Sequence, residues 1–215
     1  MKTLIIDTAL GACTAVAADG GRVIAAETED MARGHQERLG GMVRAAMAAA
    51  GWSFEDLHRI AATTGPGSFT GLRVGLAFAQ GLGLALDRPV TGLSTLAALA
   101  RDAGAEPGAV VWALIDARRG QVYGQRFVDH WPTEDPAAAL AIEDAAARIA
   151  GETGGVTLVG SGAALVAAQG ARVIDRAAPS PEALARLATD QPEGEARPLY
   201  LRAPDAKLPG GRDPS

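Results

Sequence analysis

Cysteine is nearly absent from this chain of 215 residues, because Cys13 is the only one. A single cysteine excludes an internal disulfide framework and fits a reducing cytoplasm. We expect Cys13 to be a small buried residue of a strand rather than a nucleophile. Aromatic residues are also scarce, at 4% of the chain. Ala and Gly are frequent instead, so Ala-rich helices are expected within an ordinary globular composition.

The chain lacks any run of basic residues, and its formal net charge is −5 with a pI near 5.2. Nucleic-acid-binding proteins usually carry a basic patch, so this balance argues against a broad phosphate-binding face. A long hydrophobic run is missing as well, because the apolar stretch 74–86 is shorter than the roughly 20 residues that span a bilayer. The first strand is charged at Asp7, too early for a signal peptide. We therefore expect a soluble, cytoplasmic protein without a membrane segment.

Catalytic and metal-binding patterns are missing too. The three histidines, His35, His58 and His130, share no metal-ligand spacing, so no metal site is expected. Ser68 lies in PGSFT rather than in the G-x-S-x-G pattern of a nucleophile elbow, and the glycines around it do not match a P-loop. No pair of side chains forms an acid–base or nucleophile–base couple. The pattern favours a binding or scaffold protein over an autonomous enzyme, with no catalytic residues.

The most informative segment is GPGSFTGLRVGLAFAQGLGLAL, at residues 65–86. Its Gly-Pro-Gly start predicts a tight turn. Ser68 or Thr70 can then cap the free backbone N–H groups of a helix that begins near Gly71. The turn could also hold an anion at the helix N-terminus.

The predicted helix is apolar nearly all round, with Arg73 and Gln80 as its only polar side chains from residue 71 to residue 86. A helix of this kind is buried on more than one side. Small residues four apart form a row that lets another backbone approach closely; the row is Gly71, Gly75, Ala79 and Gly83. We expect one face to pack on the chain's own sheet and the other to meet a partner. Arg73 opposes the helix dipole in the first turn, so it either pairs with a carboxylate or faces a ligand or partner.

The rest of the chain predicts alternating strands and helices. Strands are expected at 2–7, 12–18, 22–28, 59–64, 90–92, 109–116, 121–128, 156–159 and 172–175. Helices are expected at 35–50, 95–103, 143–150, 161–168 and 181–188. The segment AGAEPG at 103–108 indicates a boundary, after which the strand–turn–strand pattern of the N-terminus restarts as a weaker copy. Composition predicts a mobile tail at 203–215.

A candidate phosphate or nucleotide loop follows the first predicted strand and contains Asp7, Thr8, Gly11 and Thr14. A loop at a strand end can present backbone N–H groups and hydroxyls to a phosphate, as in sugar-kinase and actin-like folds. A plain hairpin turn with a capped acid is the alternative.

Five segments together resemble the TsaB (YeaZ) family of actin-like proteins: LIIDTALGACTAVA, GHQERLGGMV, GPGSFTGLRVGLAFAQGL, LIDARRGQVYGQ and PLYLRAPDAK. The similarity covers most of residues 1–207. It implies an α/β fold of two RNase H/actin-like (ASKHA) subdomains, the second reduced. The expected organisation is an N-terminal subdomain at 1–103 with the dimer interface, a smaller α/β subdomain at 104–202 and a flexible tail at 203–215.

The resemblance implies a non-catalytic scaffold, an inactive paralogue of TsaD. TsaD transfers the threonylcarbamoyl group to the adenosine next to the tRNA anticodon, and TsaE, a small ATPase, joins the pair. TsaD holds a metal with an HxxxH helix, whereas here His35 occupies the first position and Leu39 the second. The family's older glycoprotease-like name would suggest a metallopeptidase, and this departure disfavours that activity. No cofactor is firmly implied; weak ATP or ADP binding is expected mainly in the complex with TsaD, and tRNA binding only through that complex.

The implied interface joins the helices at 35–50 and 71–86 to TsaD, or to a second copy when the chain is alone. Its expected residues are Leu39, Met42, Met47, Gly71, Leu72, Val74, Gly75, Phe78, Ala79, Leu82 and Gly83. On this basis Gly75→Leu or Ala79→Glu is expected to block pairing and to leave a folded monomer. The alternative function is an actin-like nucleotide-binding enzyme that acts on a small phosphorylated substrate through the Asp7 loop.

Overall fold

A computed structural model describes residues 1–31, 33–166, 169–191 and 194–202. The strands, β1 to β11 in chain order, are Lys2–Asp7, Ala12–Asp19, Arg22–Asp30, Arg59–Gly65, Val90–Ser94, Val110–Arg118, Gln121–Val128, Trp131–Pro132, Ala138–Ala141, Val156–Val159 and Arg172–Ile174. The α-helices, α1 to α5, are His35–Ala49, Phe69–Leu86, Thr95–Asp102, Ile142–Ala150 and Pro181–Asp190. The predicted tail at 203–215 lies outside the described residues.

The strands form two sheets with related topology. The first has the order β3-β2-β1-β4-β5, and the second has the order β11-β10-β6-β7-β8, with β9 also paired to β7. In each sheet a hairpin is followed by a parallel strand: β1 pairs with β2 antiparallel and with β4 parallel, as β6 does with β7 and β10. The two-sheet α/β fold predicted from the restart of the pattern is therefore confirmed.

The helices lie in layers around the two sheets. Helices α1 and α2 cover one face of the first sheet, where their apolar residues pack on Leu4 and Ile6 of β1. Ile5 points to the opposite face, because side chains alternate along a strand, and packs in a core with α3 and α5. That core also includes residues of β6 and β7, so it joins the two sheets. Helix α4 packs on the outer face of the second sheet.

Three local features differ from the predictions. The helix expected at 161–168 is a short 3₁₀ helix at Ala163–Val166, and strands β8 and β9 were not anticipated. Helix α5 follows the second sheet in the chain but packs on β1, β2 and β3 of the first. The chain therefore returns to the first sheet after it has completed the second.

Candidate functional site

Helix α2 begins at a capped turn that is fastened to the end of β1. The Ser68 hydroxyl accepts a hydrogen bond from the backbone N–H of Gly71 at 3.2 Å, so Ser68 rather than Thr70 is the cap. The Thr8 hydroxyl donates to the Gly71 carbonyl at 2.7 Å in a buried position. These contacts fix where α2 starts relative to the first sheet.

The row of small residues that was predicted to meet a partner faces the chain's own sheet. A Cβ on Gly71 would overlap the Thr8 carbonyl, and a Cβ on Gly75 would overlap the Thr8 hydroxyl. Gly83 is blocked in the same way by Val90, and Ala79 is fully buried. The close approach inferred from these residues is real, but the segments that approach are the loop after β1, at Thr8, and the start of β5, at Val90. The prediction that this row forms the partner face is therefore corrected.

Burial divides the other predicted interface residues into two groups. Four lie in the core beneath α1 and α2: Leu39, Met42, Met47 and Leu72. The three that remain partly exposed are Val74, Phe78 and Leu82. Only the second group is accessible at the surface of the isolated chain.

A second row of residues, again four apart, runs along the exposed side of α2. It consists of Arg73, Ala77, Gly81 and Ala85, all exposed. Two large apolar side chains flank this row: Leu84 is 87% exposed and Phe69 is 41% exposed. We refer to this side of the helix as the outer face. The hydrophobic pattern of the sequence does not distinguish this face, although the spacing of Ala77, Gly81 and Ala85 is as regular as that of the buried row.

A groove of about 470 Å³ lies between α1 and the outer face of α2. Its lining residues are Gln36, Leu39, Phe69, Thr70, Arg73, Val74, Ala77 and Phe78. The two helices come close at Gly40, where a Cβ would lie 3.7 Å from the Phe78 ring. The groove is mostly apolar, and Arg73 is the one charged residue in its lining.

By length and composition alone, α2 could cross a membrane, because its 18 residues have a mean hydropathy of 1.3. The predicted apolar run at 74–86 was shorter than this helix, which starts at Phe69. The mostly buried core helix of a soluble protein passes the same test. In α2, 33% of the residues are buried, and the buried row packs against the first sheet.

The candidate phosphate loop is largely covered. The Asp7 carboxyl is fully buried, and its Oδ1 accepts hydrogen bonds from the Thr63 hydroxyl at 2.6 Å and the Ala9 N–H at 3.0 Å. Burial raises the pKa of this carboxyl. The Ser68 N–H donates to the Ala9 carbonyl at 2.7 Å, which places the glycine turn over the loop.

A cleft of about 420 Å³ lies above this loop, between the two sheets. Residues that line it include Gly11, Ser68, Asp116, Arg118 and Ser161. Of the predicted loop residues only Gly11 reaches the cleft, whereas Asp7, Thr8 and Thr14 are buried below it. The glycine turn thus closes over the strand end, and of the two alternatives the arrangement favours a hairpin turn with a capped acid over a loop whose Thr8 and Thr14 hydroxyls face a phosphate.

The remaining candidates, Cys13 and His35, are both buried. Cys13 is buried, as predicted, and burial raises the pKa of its thiol to about 11. His35 is buried at the start of α1, and Leu39 lies one turn later with its side chain in the core. Among the described residues, no group of three or more His, Cys, Asp or Glu side chains could hold a metal ion.

Known structures with a similar fold define the class of this protein. The ROK hexokinase from Thermus thermophilus aligns with a TM-score of 0.52 at 15% identity, over 88% of this chain and 98% of that one. The chain therefore has the actin-like fold, with two related α/β halves around a cleft.

Closer relatives define the family. A family model described as TsaD, tRNA N6-adenosine threonylcarbamoyltransferase, matches residues 23–173. The tRNA threonylcarbamoyladenosine biosynthesis protein TsaB of Escherichia coli is 38% identical over 75% of this chain and 72% of its own length. YeaZ from Pseudomonas aeruginosa aligns with a TM-score of 0.77 at 30% identity, over 93% of this chain and 99% of that one. The chain belongs to the TsaB (YeaZ) family.

Proposed function

We propose that this protein is a non-catalytic subunit of a tRNA-modifying complex, required by TsaD for threonylcarbamoyl transfer to the adenosine next to the tRNA anticodon. The observation that carries the proposal is the outer face of α2, an exposed apolar surface continuous with the groove beside α1. Surfaces of this kind mark protein–protein contacts when they are contiguous. The family relatives, which are named for tRNA threonylcarbamoyladenosine biosynthesis, support the choice of complex.

TsaD is the proposed occupant of the outer face because it is a homologue. The chain matches the TsaD family model over residues 23–173, a range that includes α1 and α2. TsaD is therefore expected to carry an equivalent pair of helices, and two homologous chains can pack equivalent surfaces about an approximate twofold axis. A second copy of this chain carries the same surface, so a homodimer is expected when TsaD is absent.

Two features support a non-catalytic role. Leu39, where the resemblance places the second metal-binding histidine of TsaD, has an apolar side chain in the core. The Asp7 carboxyl, the acid of the candidate phosphate loop, is fully buried and does not line the cleft. We propose that the chemistry belongs to TsaD, and that this chain stabilises its active form.

The net charge of −5 supports a division of labour in tRNA binding. We propose that TsaD supplies most phosphate contacts, that TsaE joins the pair, and that the complex acts in the cytoplasm. Tight binding of tRNA to the isolated chain at physiological salt, measured by filter binding, would contradict this division, because a chain without basic runs offers few phosphate contacts.

The variant Ala77→Glu tests the proposed interface. Ala77 is exposed in the middle of the outer face, so the substitution leaves the monomer folded but places a large side chain where the partner must pack closely. We expect affinity for TsaD to fall by about 100-fold, because overpacking a close contact costs about 1 to 3 kcal/mol. Size-exclusion chromatography with light scattering and a calorimetric titration measure the loss.

Ala147→Glu is the matched control, because Ala147 is an exposed helical alanine of α4 on the second sheet. It should bind TsaD as the wild-type chain does. Normal binding by Ala77→Glu would exclude the outer face as the interface. A wild-type chain that forms only homodimers in the presence of TsaD would exclude TsaD as the occupant.

A second candidate function is nucleotide binding in the cleft, supported by its position between the two halves of an actin-like fold. Asp7 and Thr14 do not fit a direct role there, because both are buried below the cleft. Calorimetric titration of the isolated chain with ATP and ADP tests this candidate. Robust binding with turnover would favour an actin-like enzyme over a scaffold.

A further inference from the structure

The segment at 194–202, which we name the C-terminal strap, runs along the edge of the first sheet toward the start of α2. The Gly92 N–H donates to the Gly194 carbonyl at 3.0 Å, and Thr91 forms an antiparallel bridge with Glu195. Farther along, the Leu199 N–H donates to the Thr64 carbonyl at 2.7 Å. The strap therefore covers the edge of β5 and then crosses the end of β4.

Glycines make this path possible. A Cβ on Gly194 would lie 2.6 Å from the Gly92 carbonyl oxygen, and a Cβ on Gly65 would lie 2.9 Å from the Leu199 carbonyl oxygen. Real side chains do not tolerate such distances. The backbone of the strap therefore packs this closely on the first sheet only because Gly65 and Gly194 carry no side chain.

The strap ends in a cluster with two residues of α2. The Tyr200 ring lies 5.2 Å from the Phe69 ring, measured between centroids. Arg73 stacks on Phe69, with its guanidinium carbon 3.7 Å from the ring centroid, and its Nε donates to the Tyr200 hydroxyl at 3.1 Å. Stacking and a hydrogen bond together restrict where the guanidinium can point. Both rings remain about two-fifths exposed, at 40% and 41%.

Arg73 carries a charge that the described part of the chain does not neutralise. None of the ion pairs among the described residues includes it, so of the two alternatives for Arg73 the pairing with a carboxylate of the same chain is not found there. The first turn of α2 also lacks an acidic residue. The cation stands at the positive end of the helix dipole, at one end of an otherwise uncharged groove.

We propose that Arg73, oriented by Tyr200 of the strap, is a specificity-determining residue of the outer face and receives a carboxylate of the partner subunit. The inference rests on the proposed function, because it takes the partner to dock on α2. The partner that fits presents an apolar helix face with an acidic side chain opposite Arg73. A guanidinium whose Nε is already engaged still offers its Nη donors to a carboxylate.

The test is a calorimetric titration of the full chain with purified TsaD at about 0.05 M and about 0.5 M NaCl, where screening of exposed charges differs strongly. Arg73→Gln should weaken binding by about tenfold at low salt and flatten the salt dependence, because a charged pair is lost at an interface. Tyr200→Phe keeps the ring but removes the hydroxyl, so it should change affinity in the same direction by about threefold. Arg148→Gln, at an exposed arginine of α4, is the matched control and should change neither quantity.

The outcomes separate this inference from the proposed function. If Ala77→Glu abolishes binding while Arg73→Gln leaves affinity and salt dependence unchanged, TsaD docks on α2 but Arg73 does not select it. If Ala77→Glu binds normally, the proposed interface itself fails. An effect of Arg73→Gln without one of Tyr200→Phe would overturn the role of the strap. Thermal midpoints equal to that of the wild-type chain confirm that none of these changes reflects unfolding.

Discussion

The buried and exposed sides of α2 carry similar rows of residues four apart, yet the two rows meet different surroundings. On the buried side, Gly71 and Gly75 touch the β1 loop so closely that a side chain would overlap it. On the outer face, Ala77 and Gly81 are exposed, and a Cβ on Gly81 would have no atom within 4 Å. Small residues at this spacing therefore indicate that a backbone can approach, but they do not say which one. Burial decides that question.

Gly75→Leu should give the largest difference in stability between the two sides of α2. A Leu side chain cannot fit between α2 and Thr8, so we expect a loss of about 3 kcal/mol or more in the free energy of unfolding. This reverses the expectation that the variant stays folded and only loses its partner. Urea denaturation followed by circular dichroism measures the change. Gly81→Leu places the same side chain on the outer face, and equal losses in the two variants would contradict the assignment of the rows.

Thr8→Val sharpens the same contrast with a smaller effect. The Thr8 hydroxyl donates to the Gly71 carbonyl in a buried position, and valine keeps the shape without the donor. We expect a loss of about 1.5 kcal/mol, because one hydrogen bond is lost while the Gly71 carbonyl keeps its partner within the helix. Thr70→Val makes the same change at an exposed position of the first turn of α2, and its stability in urea should match that of the wild-type chain. Similar losses at the two positions would mean that the Thr8 contact does not fasten the helix.

Much of the fold follows from local patterns in the sequence. The Gly-Gly turn at 20–21 and alternating apolar residues predict the first hairpin, and the apolar stripe of 35–50 predicts α1, whose observed range is His35–Ala49. The orientation of α2 does not follow in the same way. Because the helix is apolar on both sides, its hydrophobic pattern does not distinguish the side that meets Ile6 and Thr8 from the side that meets solvent.

The site depends on contacts between segments far apart in the chain. Asp7 was placed correctly at the end of β1, but its burial results from the glycine turn, where the Ser68 N–H reaches the Ala9 carbonyl. The strap pairs through backbone atoms of Gly92 and Gly194, which leave no periodic pattern of side chains. The spacing of residues along the sequence therefore predicts the helices and strands. Whether the side chains of Asp7 and Arg73 can contact a ligand or partner depends instead on which distant segments cover them.

Gly81→Ala has the smallest expected effect. Its expected change in the free energy of unfolding is opposite in sign to that of the same substitution in the buried row. Gly81 is an exposed residue in the interior of α2, and a Cβ there would touch nothing. Alanine should raise the free energy of unfolding by about 1 kcal/mol, because glycine has a low helix propensity. The same substitution at Gly75 should lower it, because the Cβ would overlap the Thr8 hydroxyl. Urea denaturation of both variants gives the two signs, and a destabilised Gly81→Ala would mean that the outer face contacts the rest of the chain. An accompanying fall in affinity for TsaD would indicate that the partner approaches α2 closely at Gly81, as Thr8 does at Gly75.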